Sequence, residues 1–181
     1  CISGSYWRID RYSDQSVWKV KEHKLEILCI HCAATPEGKD VKAKNIADYH
    51  KRPVEEGGRG WDRTGYSDII ELSGKLVRIA EYNEDDIVQR HEVTWGATGI
   101  NHKARHLCYV GGMDKENKFP KNTMTPEQEL TLIRIVVEMI AKYPNIRIAG
   151  HHQFAKKACP SFDVPNWCRM IGVPEKNIFF N

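Results

Sequence analysis

The chain has 181 residues, with 27 Lys and Arg against 24 Asp and Glu, a formal charge of +3. Hydrophobic residues make up 41% and charged residues 28%. That mix fills one domain core and excludes disordered, collagenous and low-complexity chains. No apolar run approaches the roughly 18 residues of a bilayer span, so no transmembrane segment is expected. The basic residues are interspersed with acids, which excludes the clustered footprint of a nucleic-acid partner.

In chain order, residues 1–24 are polar with scattered aromatics (Tyr6, Trp7, Tyr12, Trp18) and read as an N-terminal extension packed on a domain spanning 25–181. A cysteine in first position suits a processed, lipid-anchored protein. The apolar, β-rich stretch 25–32 (LEILCIHC) predicts a central strand buried on both faces. Residues 41–51 predict a short helix stopped by Pro53, and 55–64 (EEGGRGWDRT) a Gly-rich loop. Strands follow at 67–72 and 76–80, turning at Ser73-Gly74, and at 106–110, running into Gly111-Gly112. The helix at 125–142 carries the clearest signals, with Thr125 as N-cap, Pro126 in the first turn and Gln128 closing a capping box. Its stripe Leu130, Ile133, Val137 and Ile140 is expected to face the core. A strand at 146–149 and a short helix at 164–171 complete an α/β layer structure, a single domain with a central mixed β-sheet flanked by helices.

Reactive side chains gather at three strand ends: His31-Cys32, His151-His152 and Lys157-Ala158-Cys159. Along a regular strand Cys29 and Cys32 point to opposite faces, so their C-x-x-C spacing closes neither a metal site nor a disulfide. The six cysteines are too few and too irregular for a disulfide scaffold and read mostly as small buried hydrophobes. At most one of His151 and His152 can share His31's direction, and Cys159 comes seven residues after His152, a span that can fold back beside its own strand. Two imidazoles and a thiolate with a fourth position left open is the composition of a catalytic zinc site. On spacing alone, buried core histidines are the more common explanation. His102 and His106 have the i, i+4 spacing of a helical ligand pair, but their segment reads as loop into strand, so they are not expected to be ligands.

The strings IHCAATP, GYSDII, GINHKARHLCYVGGMD and HHQFAKKACPSFDV resemble the zinc-dependent type 2 N-acetylmuramoyl-L-alanine amidases. The similarity is strongest to the phage lysozyme branch, whose fold is shared with peptidoglycan recognition proteins. The resemblance implies a monomeric peptidoglycan hydrolase with one Zn2+ per chain. Such an enzyme acts on the bacterial cell wall, from the periplasm or envelope or as a phage product. It cleaves the amide between N-acetylmuramic acid and L-alanine of the stem peptide. It places the metal ligands on His31, His151 and Cys159 and the catalytic residues on Tyr66 and Lys157. Tyr66 and Lys157 would supply donors to developing negative charge. Trp61, Arg63 and Asn101 are expected to contact substrate in the groove. Two departures bear on stem-peptide preference: Ser67-Asp68, where many relatives carry His and an aromatic, and Gly96, where a substrate-contacting His is common. A non-catalytic peptidoglycan-binding module of the same fold and a Cys-dependent cell-wall peptidase using Cys159 are the competing readings.

Overall fold

The computed structural model describes residues 23–181. The extension expected over 1–24 therefore lies outside the described residues except for His23–Lys24, as does Cys1 with the anchor expected on it. His23–Lys24 form a short strand, β1, paired with β6 (Ile87–Val88).

The central sheet has five strands in the order β5-β4-β7-β2-β9. Strand β2 (Ile27–Cys32) is the middle of it, and every one of its residues is buried. It runs parallel to β7 (Ala104–Tyr109) on one side and to β9 (Arg147–Gly150) on the other. Strand β4 (Asp68–Ile70) continues the parallel set, and β5 (Leu76–Arg78) closes the edge antiparallel to it across the expected turn. Beyond the sheet, β3 (Thr35–Pro36) pairs in parallel with β8 (Gly112–Met113) and carries the β2 and β7 chains onward together. This is the mixed sheet expected, with β2 buried on both faces because helices cover both.

Helix α1 (Ala43–Lys51) lies on one face, where Ala43 and Ile46 pack with Ile69, Cys108 and Val110. It stops at Arg52, which takes the extended conformation forced on a residue before proline. Helix α2 (Pro126–Lys142) covers the opposite face together with α3 (Val164–Met170). There Leu132, Ile135, Val136, Trp167 and Cys168 pack on Leu28, Ile30, Leu107, Tyr109 and Ile148.

The capping signals of α2 hold in detail. The Thr125 hydroxyl accepts from the Gln128 N–H at 3.1 Å, and the Gln128 side-chain oxygen accepts from the Thr125 N–H at 3.0 Å. The Gln128 amide also reaches into the sheet, donating to the carbonyls of Ile70 at 3.1 Å and Val110 at 2.9 Å. The stripe expected to face the core is corrected. Leu130 is 69% exposed and Val137 59%, while Ile133 and Ile140 are only half-buried. The buried face is the neighbouring one, Gln128, Leu132, Ile135 and Val136. The helix carries two apolar stripes of equal period, and the anchoring of Gln128 in the sheet selects between them.

Alternation along β2 separates its two thiols as expected. Cys29 joins Ile27, Ala104 and Ala149 on the α1 face, and Cys32 joins the core under α2. Cys108 and Cys168 are buried too. On the α2 face a cavity of about 180 Å³ is lined by Asp68, Arg78, Tyr82 and Arg105 among others, with Tyr82 sandwiched between two guanidinium groups at 3.7 and 3.6 Å. His31 opens onto the other face, toward α1. No helix among the described residues is long and apolar enough to cross a membrane.

Candidate metal centre

The register of the parallel strands brings the site together. Ile30 of β2 pairs with Gly150, the last residue of β9. His151 therefore starts its 3-10 turn (His151–Gln153) beside His31, and the two rings lie 4.6 Å apart. The chain then returns: the His152 N–H donates to the Cys159 carbonyl at 2.7 Å. This closes the loop expected to fold back on its own strand. Cys159 Sγ accepts from the Cys32 N–H at 3.3 Å and lies 3.8 Å from His31 Nδ1. Beyond it, the Pro160 carbonyl accepts from the Tyr109 hydroxyl at 2.7 Å, and Ser161 donates to the Gly112 carbonyl at 2.8 Å. Gly112 has to lack a side chain, since a Cβ there would sit 2.4 Å from Cys32 Sγ.

One ligand atom from each of His31, His151 and Cys159 falls within 4.8 Å of the others. A tetrahedral zinc with bonds of about 2.0–2.3 Å separates nitrogen and sulfur by about 3.6 Å, close to the 3.8 Å between His31 Nδ1 and Cys159 Sγ. The electrostatics suit a cation with the same donors. Burial, aided by His106, His151 and Lys157, holds the His31 imidazole well below its ordinary pKa. Burial likewise brings His151 down to about 4, with Lys157 and His152 acting in the same direction. Both rings are thus neutral at neutral pH, the form that ligates metal. The hydrogen bond with Cys32 and then burial push the Cys159 thiol up, so it gives up its proton only to a strong competitor such as a metal ion. The residues present fit zinc.

Tyr66 stands over this cluster, its ring 5.0 Å from that of His31. Burial pushes its phenol well above the ordinary range, so it keeps its proton and remains a donor. The backbone before it is pinned twice: the Gly65 N–H donates to His50 Nδ1 at 3.1 Å, and the Thr64 hydroxyl donates to the Tyr66 carbonyl at 2.8 Å. His50 also stacks on Trp61, with ring centroids 5.0 Å apart and planes 23° from parallel. Lys157 is exposed on the returning loop, close enough for its charge to act on both His31 and His151.

The other expected contact residues have work of their own. Arg63 Nη1 donates to the carbonyls of Arg90 at 2.5 Å and Val93 at 3.1 Å, and Asn101 Oδ1 accepts from the Ala97 N–H at 2.8 Å. In the Ser67-Asp68 departure, Asp68 points away from the site, accepting from the Tyr82 hydroxyl at 2.9 Å on the α2 face. Ser67 donates to the His106 carbonyl at 2.8 Å.

Three residues near the site escaped sequence reasoning. His50 carries no signal beyond its place on α1. Cys32 stands out in the sequence beside His31 and as half of a misleading C-x-x-C, but neither signal gives its contact with Cys159. His106 looked like half of an i, i+4 pair with His102, and the two do separate, His102 going to His23 with rings 4.8 Å apart. His106, however, is fully buried against His31, with His31 Nε2 and His106 Nδ1 2.9 Å apart. Cys29, His31 and His106 form a second group whose ligand atoms fall within 4.8 Å. Burial and then His151 lower the His106 pKa to about 3.

Known proteins share both the sequence and the architecture. No protein-family model matches the chain. The endolysin of Escherichia phage T7 is 34% identical over 147 residues, covering 81% of this chain and 87% of that protein. The endolysin of Enterobacteria phage T3 is 35% identical over 142 residues, covering 78% and 84%. Among solved structures, the N-acetylmuramoyl-L-alanine amidase LysC from Clostridium intestinale superposes with a TM-score of 0.59 at 21% identity, over 83% of this chain and 87% of that one. Bumblebee PGRP-SA gives 0.58 at 17% identity over 81% of each. At these identities the structural likenesses speak for the fold, which is that of the amidases and peptidoglycan recognition proteins. Sequence identity above 30% along most of both chains goes further, and on it this chain belongs to the phage endolysin family.

Proposed function

We propose that the chain is a phage-encoded peptidoglycan hydrolase that cleaves the amide between N-acetylmuramic acid and L-alanine of the stem peptide, with one zinc held by His31, His151 and Cys159. The convergence of those three donors within 4.8 Å carries the reading. The endolysin relatives support the cell wall as substrate, and the amidase neighbour supports a fold suited to that bond.

Zinc bound there supplies a Lewis acid and brings the pKa of water down to about 7. The chain's own groups do the remainder. Tyr66, a buried phenol beside His31, donates to the carbonyl oxygen as negative charge develops on it. Lys157 brings an ammonium to the same side from the returning loop and stabilises the same charge. Trp61, stacked on His50 and with the Arg59 guanidinium 5.5 Å from its ring centroid, is the aromatic side chain suited to pack against a sugar. Arg63 and Asn101 would serve by holding loops in place, Arg63 through the Arg90 and Val93 carbonyls and Asn101 through the Ala97 N–H.

A cysteine-nucleophile reading draws on the 3.8 Å contact between Cys159 Sγ and His31 Nδ1. Against it, the environment holds the thiol protonated rather than as the thiolate such chemistry needs. Metal analysis of the purified chain, combined with mass spectrometry of peptidoglycan digests, tests the proposal. One zinc per chain and release of intact stem peptides beginning at L-alanine support it. Cleavage that survives exhaustive chelation, or products cut within the stem, would overturn it.

A further inference from the structure

We propose that His106 is a positioning residue for the metal site, accepting a hydrogen bond from His31 Nε2–H at its own Nδ1 and so fixing the tautomer that leaves His31 Nδ1 bare toward Cys159. This rests on the metal-dependent reading above. The two nitrogens are 2.9 Å apart and both rings are fully buried. A neutral imidazole has one donor and one acceptor nitrogen, so two such rings in contact share a single proton between them. If His106 donated, His31 would carry its own proton on Nδ1, the atom that faces Cys159 Sγ, and no lone pair would point at the metal. If His31 donates, Nδ1 is free. Ligating histidines generally give their other N–H to a fixed acceptor that orients the ring. Here another imidazole fills that place.

The sheet and the loop beside it are built to hold this ring. In the parallel register His106 pairs with Cys29, one row along the same face from His31. Gly96 leaves the room it needs: a Cβ there would lie 2.3 Å from both Cγ and Nδ1 of His106. Packing does not account for the residue type. Among the described residues His106 Nε2 is buried with no hydrogen-bond partner, and an apolar ring would fill the space without stranding a polar atom. Nor do the distances favour a second metal on Cys29, His31 and His106. Two nitrogens on one tetrahedral zinc stand about 3.3 Å apart, and 2.9 Å is a hydrogen-bond length.

The test uses the zinc-loaded full chain with 15N-labelled histidine, and zinc affinities measured by competition with a chromophoric chelator. We expect a protonated His31 Nε2 with a through-hydrogen-bond coupling to His106 Nδ1. His106→Phe, which keeps a ring but has no acceptor, is expected to bind zinc about 10–100-fold more weakly. His106→Asn, whose Oδ1 sits near the place of Nδ1, is expected to recover most of that loss. A bare His31 Nε2, or equal zinc affinity in wild type and His106→Phe, would overturn the role of His106 while leaving the metal reading intact. A second zinc equivalent lost in both Cys29→Ala and His106→Phe would overturn it in favour of a second site. A wild-type chain that binds no zinc would overturn the metal reading itself, and with it the role of the pair.

Discussion

The sulfur of Cys159 lies 3.8 Å from Nδ1 of His31, although 128 residues separate them in the chain. Two independent constraints produce the contact. Strand β2 delivers His31 at its buried C-terminal end, and the hydrogen bond from the His152 N–H to the Cys159 carbonyl folds the following loop back onto that end.

Cys159→Ala removes the one anionic member of the proposed ligand set while leaving both imidazoles in place. It is expected to abolish tight zinc binding and hydrolysis, with little loss of fold because Cys159 is only partly buried. Zinc stoichiometry after gel filtration checks this, and an unchanged one-to-one ratio would remove Cys159 from the ligand set.

Lys157→Ala deletes an exposed ammonium whose charge reaches His31 and His151. Zinc content is expected to stay at wild-type level while kcat falls by about 10²-fold or more, the usual effect of losing a fixed donor to developing charge. Steady-state turnover on purified peptidoglycan decides it; a kcat near wild type would show that Lys157 has no part in the chemistry.

Gln128→Leu leaves the Val110 carbonyl without its buried donor and the Thr125 N–H without its acceptor, while the Ile70 carbonyl keeps only the Val110 N–H at 3.0 Å. Stranded buried groups of this kind cost about 1–3 kcal/mol each, part of which relaxation recovers. A loss of about 3 kcal/mol in denaturant unfolding is expected, with zinc binding retained below the transition. A change within about 0.5 kcal/mol would mean that α2 is held by its apolar face alone.

Acid is expected to unfold the metal-free chain through its buried histidines. Burial brings His50 down to about 4 and His106 to about 3, in each case from an ordinary value of 6.5. Between those values and 6.5 the unfolded chain binds more protons than the folded one, so stability falls as pH falls. The slope is up to about 1.4 kcal/mol per pH unit for each such histidine. Above about pH 7 both states are neutral at these rings and the contribution vanishes. Thermal melts in chelator from pH 7.5 to 4.5 measure it. A flat Tm across that range would show that the rings are not held neutral.

The local grammar of the fold was readable from neighbours in sequence. Alternation placed Cys29 and Cys32 on opposite faces of β2, and Thr125, Pro126 and Gln128 announced the start of α2. Such signals are short-range because hydrogen bonds within a turn and the side-chain period of a strand involve residues only a few positions apart. The choice between the two apolar stripes of α2 was not readable, because both have helical period and the sheet that selects one is built from distant segments.

The amino-acid sequence by itself determined the strands, the caps and the motif residues His31, His151 and Cys159, together with the family they resemble. Only the tertiary structure decided which atoms of those residues meet, that His50 and Thr64 pin the chain at Tyr66, and that His106 stands behind His31 in the space Gly96 leaves open. The reason is physical. Parallel pairing of β2 with β7 and β9 sets a register between segments about 75 and 120 residues apart, and a shift of a single residue would turn each of these side chains to the other face.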